Sequence, residues 1–332
     1  MKNSRIIVTG GAGFIGSNLA RKLSEDYNKV IVIDDLSTGN YDNIRDLEKS
    51  GKIEFIKGSI TDLNFLQQIF KDIDYVFHQA AISSVPRSIK YPMRSNDVNI
   101  NGTLKVLIAA KDNRVKKVVY ASSSSAYGDA QTLTKKEEMA PCPLSPYAVS
   151  KLAGEYYCQV FTNMYGLPTV SLRYFNVYGP RQDPSSEYAA VVPKFISRVL
   201  NGKPPVIYGD GKQIRDFIFV DDVVHANILA AEGKATGIFN IARGKRISIN
   251  DLAKSIMKIC DKHFDPIHDD PLPGDIKHSL ADISRATDTF GYIPKVDIKD
   301  GLEKTIKWFQ TQNQKTAPYK RNISKLMRKQ LK

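Results

Sequence analysis

The sequence predicts an α/β fold: a doubly wound parallel sheet followed by a smaller C-terminal lobe. Three observations predict it. Short apolar runs alternate with amphipathic stretches as far as Pro180, a glycine-rich turn joins the first run to the first stretch, and an acid ends the second run. Arg5–Thr9 reads as a buried strand, and Gly10-Gly11-Ala12-Gly13-Phe14-Ile15-Gly16 turns from it into a helix ending near Asp26. Lys29–Ile33 is the second strand and runs into Asp34-Asp35. Ile53–Ile56, Tyr75–His78, Val115–Ala121 and Thr169–Arg173 are the further strands. Between them, Asp62 caps a helix through Phe70 and a second helix runs from Asn99 to Lys111. The helix from Ser145-Pro146 continues to about Met164 and stops at Gly166. Beyond Gly179-Pro180 the pattern shortens and prolines become frequent. This divides the chain into residues 1–180, a lobe over 181–312 and a tail over 313–332, with 215–242 crossing back toward the sheet.

Two constellations carry chemistry. In the glycine-rich turn, Gly10, Gly13 and Gly16 allow a tight bend, close backbone approach to a pyrophosphate, and packing of helix on strand. The helix N-terminus then faces the phosphates. Asp34, roughly 20 residues beyond the glycines, suits an adenosine ribose 2′-hydroxyl and repels a 2′-phosphate, so the turn selects NAD over NADP. The second constellation is Ser123-Ser124-Ser125-Ala126-Tyr127-Gly128 with Tyr147-Ala148-Val149-Ser150-Lys151. Tyr147 and Lys151 lie one helical turn apart on one face. A phenol of pKa near ~10 is a poor base at neutral pH, and an adjacent ammonium favours phenolate at about 1.4 kcal/mol per unit of lowering. Serine, tyrosine and lysine together can take a proton from a sugar hydroxyl while hydride leaves the same carbon. A surface ion-spaced pair is the commoner meaning of Tyr-x-x-x-Lys, but about 25 residues beyond a serine-ended strand the catalytic reading is the stronger.

Composition excludes other classes. The 332 residues suffice for a large core, and no apolar run reaches the ~18 residues of a membrane span. With no cleavage pattern at the N-terminus, a cytoplasmic protein without integral membrane association is expected. The three cysteines form no CxxC pair and read as reduced thiols. The five histidines lack metal-ligand spacing, so no metal is expected, and His78 reads as strand-end packing. The formal charge of +13 suggests nucleic acid, yet residues 313–332 hold seven Lys/Arg and no acid, leaving +6 for the body. No aromatic-interleaved basic motif supports nucleic-acid binding. Ile323, Leu326, Met327 and Leu331 are spaced for one face of a terminal helix, although a solvated tail fits the segment better.

These motifs resemble the extended short-chain dehydrogenase/reductase superfamily, and specifically the UDP-galactose 4-epimerase family. Further matches are His78-Gln79-Ala80-Ala81, Asn99-Ile100-Asn101-Gly102-Thr103, Arg173-Tyr174-Phe175-Asn176-Val177-Tyr178-Gly179-Pro180 and Tyr208-Gly209-Asp210-Gly211 before Arg215-Asp216-Phe217. Within the family the chain is most similar to UDP-N-acetylglucosamine 4-epimerases, through Arg181-Gln182-Asp183-Pro184, Tyr188-Ala189-Ala190-Val191-Val192-Pro193 and His278-Ser279-Leu280-Ala281-Asp282. The resemblance covers roughly residues 4 to 310 and implies a Rossmann-type sheet.

It also implies roles. Tyr147 is the general base and acid, Lys151 its electrostatic partner and a donor to the nicotinamide ribose, and Ser123 holds the sugar oxygen with Ser124 beside it. Gly10, Gly13, Phe14, Ile15, Gly16, Asp34, Asp35, Ser59, Ile60, Gln79, Ala80, Ala81 and Asn99 surround the cofactor. Ile60, Ala80 and Ala81 read equally well as core residues whose backbone alone matters. Ser83, Ser84, Asn176, Gln182, Ala190, Val191, Tyr208, Arg215 and Ser279 face a UDP-sugar. A guanidinium at 215 pairs bidentately with a diphosphate, and a surface salt bridge is the plainer use of it. The helices Asn99–Lys111 and Ser145–Met164 resemble the pair by which relatives form homodimers.

The chain departs from the family in three places. Leu272 precedes Pro273-Gly274-Asp275 where many relatives have arginine, leaving Lys277 or His278 to compensate. Ser59 replaces an acid that contacts adenine, and Ser83 a glycine of some N-acetyl-preferring relatives. The implied reaction is a redox-neutral 4-epimerisation through a transient 4-keto sugar, for N-acetylated and plain UDP-hexoses. Dehydratases need an Asp-Glu pair at 124 and 125, and decarboxylases a glutamate at 125, whereas both positions are serine here. UDP-glucuronate 4-epimerisation remains an alternative because Lys90 or Arg87 can meet a carboxylate. A non-catalytic NAD-sensing regulator is the alternative from another class, and the intact serine, tyrosine and lysine speak against it.

Overall fold

The structure is a computed structural model that describes residues 1–26, 28–130, 132–184, 190–271, 279–312 and 314. Seven strands form its parallel sheet: β1 (Arg5–Thr9), β2 (Lys29–Asp34), β3 (Ile53–Lys57), β4 (Tyr75–His78), β5 (Lys117–Ser123), β6 (Thr169–Tyr174) and β7 (Gly237–Ile241). They lie in the order β7-β6-β5-β4-β1-β2-β3. The chain reverses direction of winding between β1 and β4, which opens a crevice at the carboxyl ends of those two strands.

Both faces of the sheet are covered, which is why β1, β2 and β4 read as apolar runs rather than alternations. On one face Ile6, Val8 and Val32 pack with Leu19 and Leu23 of α1 (Phe14–Glu25). On the other, Ile7, Ile31 and Ile33 pack with α2 (Leu63–Ile69), α3 (Thr103–Asp112) and α4 (Pro146–Tyr165). The helix signals in the sequence are used as helix signals. Asp62 accepts the Phe65 N–H at 3.0 Å to start α2, Ser145 accepts that of Ala148 at 3.1 Å to start α4, and Gly166 ends α4 at φ +69°.

Two boundaries differ from expectation. The fifth strand begins at Lys117 because the N–H of Val115 closes the preceding helix on Ala110 O at 2.9 Å. It continues through Ser122 and Ser123, which pair in register with Arg173 and Tyr174. The helix expected from Asn99 is a π-turn over Asp97–Gly102 that leads into α3.

After β6 the chain builds α5 (Val191–Leu200) and short strand pairs, Asn176–Tyr178 with Phe217–Phe219, Val206–Tyr208 with Ile267–Asp269, and Ile214–Arg215 with Ile247–Ser248. Then α6 (Val220–Glu232) packs Val223 and Ala226 into the first face of the sheet, and β7 pairs with β6. The chain then leaves the sheet again to form α7 (Ile249–Ile259), whose Leu252 and Ile256 share a core with Phe195 and Ile196 of α5. No helix among the described residues is long and apolar enough to cross a membrane. The residues of the terminal apolar face, 323–331, lie outside the described residues.

Candidate active site

The turn after β1 is shaped by what its glycines lack. Gly10 sits at φ +67°, and a Cβ there would meet the Ala80 backbone at 2.6 Å. A Cβ on Gly16 would lie 2.2 Å from Gly10 O, so α1 approaches β1 only with glycine there. Gly13 caps α1 in an extended conformation with no side-chain cap, which leaves the N–H groups of the turn carrying Phe14 and Ile15 for an anion. Asp34 ends β2, buried, and each carboxylate oxygen accepts one backbone N–H: Ala12 at 3.0 Å and Leu36 at 2.8 Å. Burial raises its pKa and these two bonds oppose the rise. Each oxygen keeps a lone pair for a ribose hydroxyl. Asp35 instead faces outward and accepts from Ser37 N. Ser59 shares a 2.9 Å hydrogen bond with Thr61, and buried Ile60 fills the space over Gly102.

On the other side of the crevice, Gln79 donates to Tyr174 and Asn227, a tie between β4, β6 and α6 that fixes the start of Ala80-Ala81. Asn99 accepts from Ile82 N at 2.8 Å and donates to Ile82 O and Ser150 Oγ, so its amide holds the 79–84 loop to α4. Ser84 caps the helix Val85–Lys90, Ser88 of that helix accepts the Tyr147 N–H at 3.0 Å, and Ser83 is exposed. His78 is packing: its two ring nitrogens meet Thr9 and Thr103 at 2.8 and 2.9 Å, and burial brings its pKa down to about 3.

The predicted catalytic residues converge. Ser123 accepts the Ser125 N–H at 3.1 Å, which starts the turn Ser124–Tyr127, and its hydroxyl faces the Tyr147 phenol, where it favours the phenolate. Lys151 is buried, donates to Ala121 O at 2.8 Å and lies 5.1 Å above the Tyr120 ring. The electrostatics differ from the expectation that the ammonium depresses the phenol. Burial pushes Tyr147 up, with Ser123 opposing, and burial brings Lys151 down to about 7. Both groups sit in a desolvated wall, and burial is the largest cause of both shifts.

Several substrate candidates also gather. Asn176 donates to Asp216 O at 3.1 Å, Gln182 to Val177 O at 3.3 Å, and Ser279 N to Ile214 O at 3.1 Å. Arg215 follows Ile214 and donates to its carbonyl at 2.9 Å. Tyr208 stands on the neighbouring strand pair, and Ala190 and Val191 form the start of α5. Leu272–His278 and residues 185–189 lie outside the described residues, the compensation expected of Lys277 or His278 among them.

A model of the NAD dependent epimerase/dehydratase family matches residues 6–242. The chain belongs to that family. It is similar to the UDP-N-acetylglucosamine 4-epimerase of Methanobrevibacter ruminantium, solved in complex with UDP-N-acetylmuramic acid. The identity is 48% and the TM-score 0.91, covering 94% of this chain and 100% of that one. The UDP-glucose 4-epimerase of Thermus thermophilus, solved in complex with NAD, matches at 36% identity and a TM-score of 0.84, over 92% and 99% of the two chains. The UDP-glucose 4-epimerase of Mycolicibacterium smegmatis is 40% identical over 315 residues, 93% of this chain and 100% of that protein.

The family's NAD fits the residues present, since the uncapped α1 terminus suits a diphosphate and the Asp34 carboxylate a ribose diol. Four site-supporting residues carry no role on sequence alone, Arg173 and Asp216 appearing there only within family motifs. Asp216 accepts from the backbone of Arg243, Gly244 and Ala281, and burial lifts its pKa to about 6. Gly154 lets α4 close onto Tyr120, whose hydroxyl would lie 2.3 Å from an added Cβ. Glu155 and Arg173 form a buried ion pair beside Ser122. The spacing Tyr147-x-x-x-Lys151-x-x-x-Glu155 is the signal that could have found Glu155.

Proposed function

We propose that the protein is an NAD-dependent UDP-sugar 4-epimerase acting on N-acetylated and plain UDP-hexoses. The single observation that carries the reading is the convergence of Ser123, Tyr147 and Lys151 at the carboxyl end of β5, beside the crevice that suits NAD. Tyr147 takes the proton from the sugar 4-hydroxyl, and Ser123 holds that oxygen. Lys151 supplies positive charge to the phenolate and a donor to the cofactor ribose. The Gly10–Gly16 turn and Asp34 would hold NAD, which would supply the acceptor for the C4 hydride and the donor for its return to the opposite face of the 4-keto sugar. Arg215 binds the diphosphate, while Asn176, Gln182 and Ser279 line the space in which the hexose turns. Serine at both 124 and 125 leaves no carboxylate to act on C5 or C6, which supports epimerisation over dehydration or decarboxylation. The purified protein, incubated separately with UDP-glucose, UDP-N-acetylglucosamine and UDP-glucuronate, should form the 4-epimers of the first two. Turnover of UDP-glucuronate alone would replace this reading with the uronate one.

A homodimer is supported by α4, which exposes Val149, Tyr156, Val160 and Met164 along one stripe. Light scattering should give twice the chain mass, and Val160→Glu with Met164→Glu should give the monomer.

A further inference from the structure

Four consecutive residues of β5 each touch α4. Tyr120 donates to Lys151 O, Ala121 O accepts from Lys151 Nζ, Ser122 donates to Glu155, and Ser123 meets Tyr147. The Glu155 contact also reaches the neighbouring strand β6. Glu155 is fully buried and takes Arg173 Nε at 2.8 Å and Nη2 at 2.7 Å, besides Ser122 Oγ. Arg173 pairs with Ser122 across β5 and β6, and its guanidinium lies 4.6 Å over the ring of Tyr127. Tyr127 closes the turn that starts at Ser123–Ser124, and its hydroxyl donates to Asn240 on β7 at 2.7 Å. One carboxylate thus joins the helix of Tyr147 and Lys151 to the strand and turn of Ser123 and Ser124.

A buried ion pair is a poor source of stability, because desolvating two charges offsets their attraction and apolar replacements are often as stable. Its defined geometry is what an apolar pair lacks. We propose that Glu155, clamped by Arg173, is a positioning residue that fixes the Ser123 hydroxyl against the Tyr147–Lys151 face. The inference rests on the epimerase reading of the site. Glu155 does not touch the substrate space; it acts through Ser122 and the strand end. Its charge also favours the ammonium form of Lys151, one helical turn away.

The test is a double-mutant cycle on the NAD-loaded full chain, with UDP-N-acetylglucosamine and UDP-glucose as substrates. Glu155→Gln should lower kcat about 10–100-fold, with KM and retained NAD near those of the parent. In a Ser123→Ala background the same substitution should have little further effect, because the hydroxyl it positions is gone. If Glu155→Gln does not fold, Glu155→Met with Arg173→Met carries the test, since an apolar pair is expected to restore folding. That variant should retain NAD and melt near the parent, yet lose kcat in the same way. Normal kcat in the folded apolar-pair variant, or full multiplication of the two losses in the cycle, would overturn the positioning role. If Ser123→Ala itself leaves epimerisation unchanged, the reading of the catalytic site fails first and this inference falls with it.

Discussion

Tyr147 and Lys151 present the residue-scale problem of doing proton transfer in a wall where burial disfavours the charged form of both groups. Tyr147→Phe keeps the shape and removes the acceptor, so epimerisation should fall about 10²–10⁴-fold while NAD is retained. Steady-state turnover with each UDP-sugar checks this, and near-normal rates would assign the proton to another base. Lys151 also has a signature in stability. Its folded pKa of about 7 lies below the ~10.4 of an unfolded lysine, so between those values the unfolded chain holds a proton that the folded chain has released. Stability from this group therefore rises with pH across that window and is lost as pH falls through about 7. Lys151→Met should be more stable than the parent at pH 7, with the advantage shrinking by pH 10, as read from urea midpoints. A constant difference would contradict the burial account. In the proposed reading Ser279 lines the space in which the hexose turns, so its size is expected to set substrate range. Tyrosine there fills the room an N-acetyl group needs, so Ser279→Tyr should lose the N-acetylated pair selectively, by about 10–200-fold in kcat/KM. Equal losses for both pairs would show that Ser279 is not the gate.

At the scale of elements, what the sequence reveals follows how each piece is stabilised. β1, β2 and β4 are buried on both faces and appear as short apolar runs, whereas β6, buried along its whole length, still carries Thr169, Ser171 and Arg173. α4 declares both ends through Ser145 and Gly166. The lobe's strands are two or three residues long, too short for any periodicity to expose them. The π-turn before α3 looks like ordinary helix because its residues continue the helical spacing. Asp216 marks the same limit in the site, since its three backbone partners at 243, 244 and 281 are distant in sequence. Replacing it by asparagine sets an NH₂ group among N–H donors, and should lower stability by about 1–3 kcal/mol. Denaturant unfolding checks that value, and an unchanged midpoint would mean the lobe does not depend on this anchor.

For the whole molecule, the central claim is that one crevice removes hydride from a sugar carbon and returns it to the same carbon. The Gly10–Gly16 turn, Asp34 and the serine–tyrosine–lysine set were legible because local spacing and residue type specify them. The supporting ties were not, since Glu155 to Arg173 and Gln79 to Asn227 are made only once the sheet order is fixed. Cofactor choice can be tested separately. Asp34→Ala should relax a strong preference for NAD over NADP, measured as the ratio of their dissociation constants, and equal affinities in the unmutated protein would contradict the assignment. The most direct measurement is isotopic: UDP-glucose deuterated at C4 is incubated with the purified protein in light water, and the 4-epimer is analysed by NMR. The account predicts epimer that keeps deuterium at C4, because the hydride leaves and returns without meeting solvent. Epimer with protium at C4, or with deuterium retained only when exogenous cofactor is excluded, would contradict it.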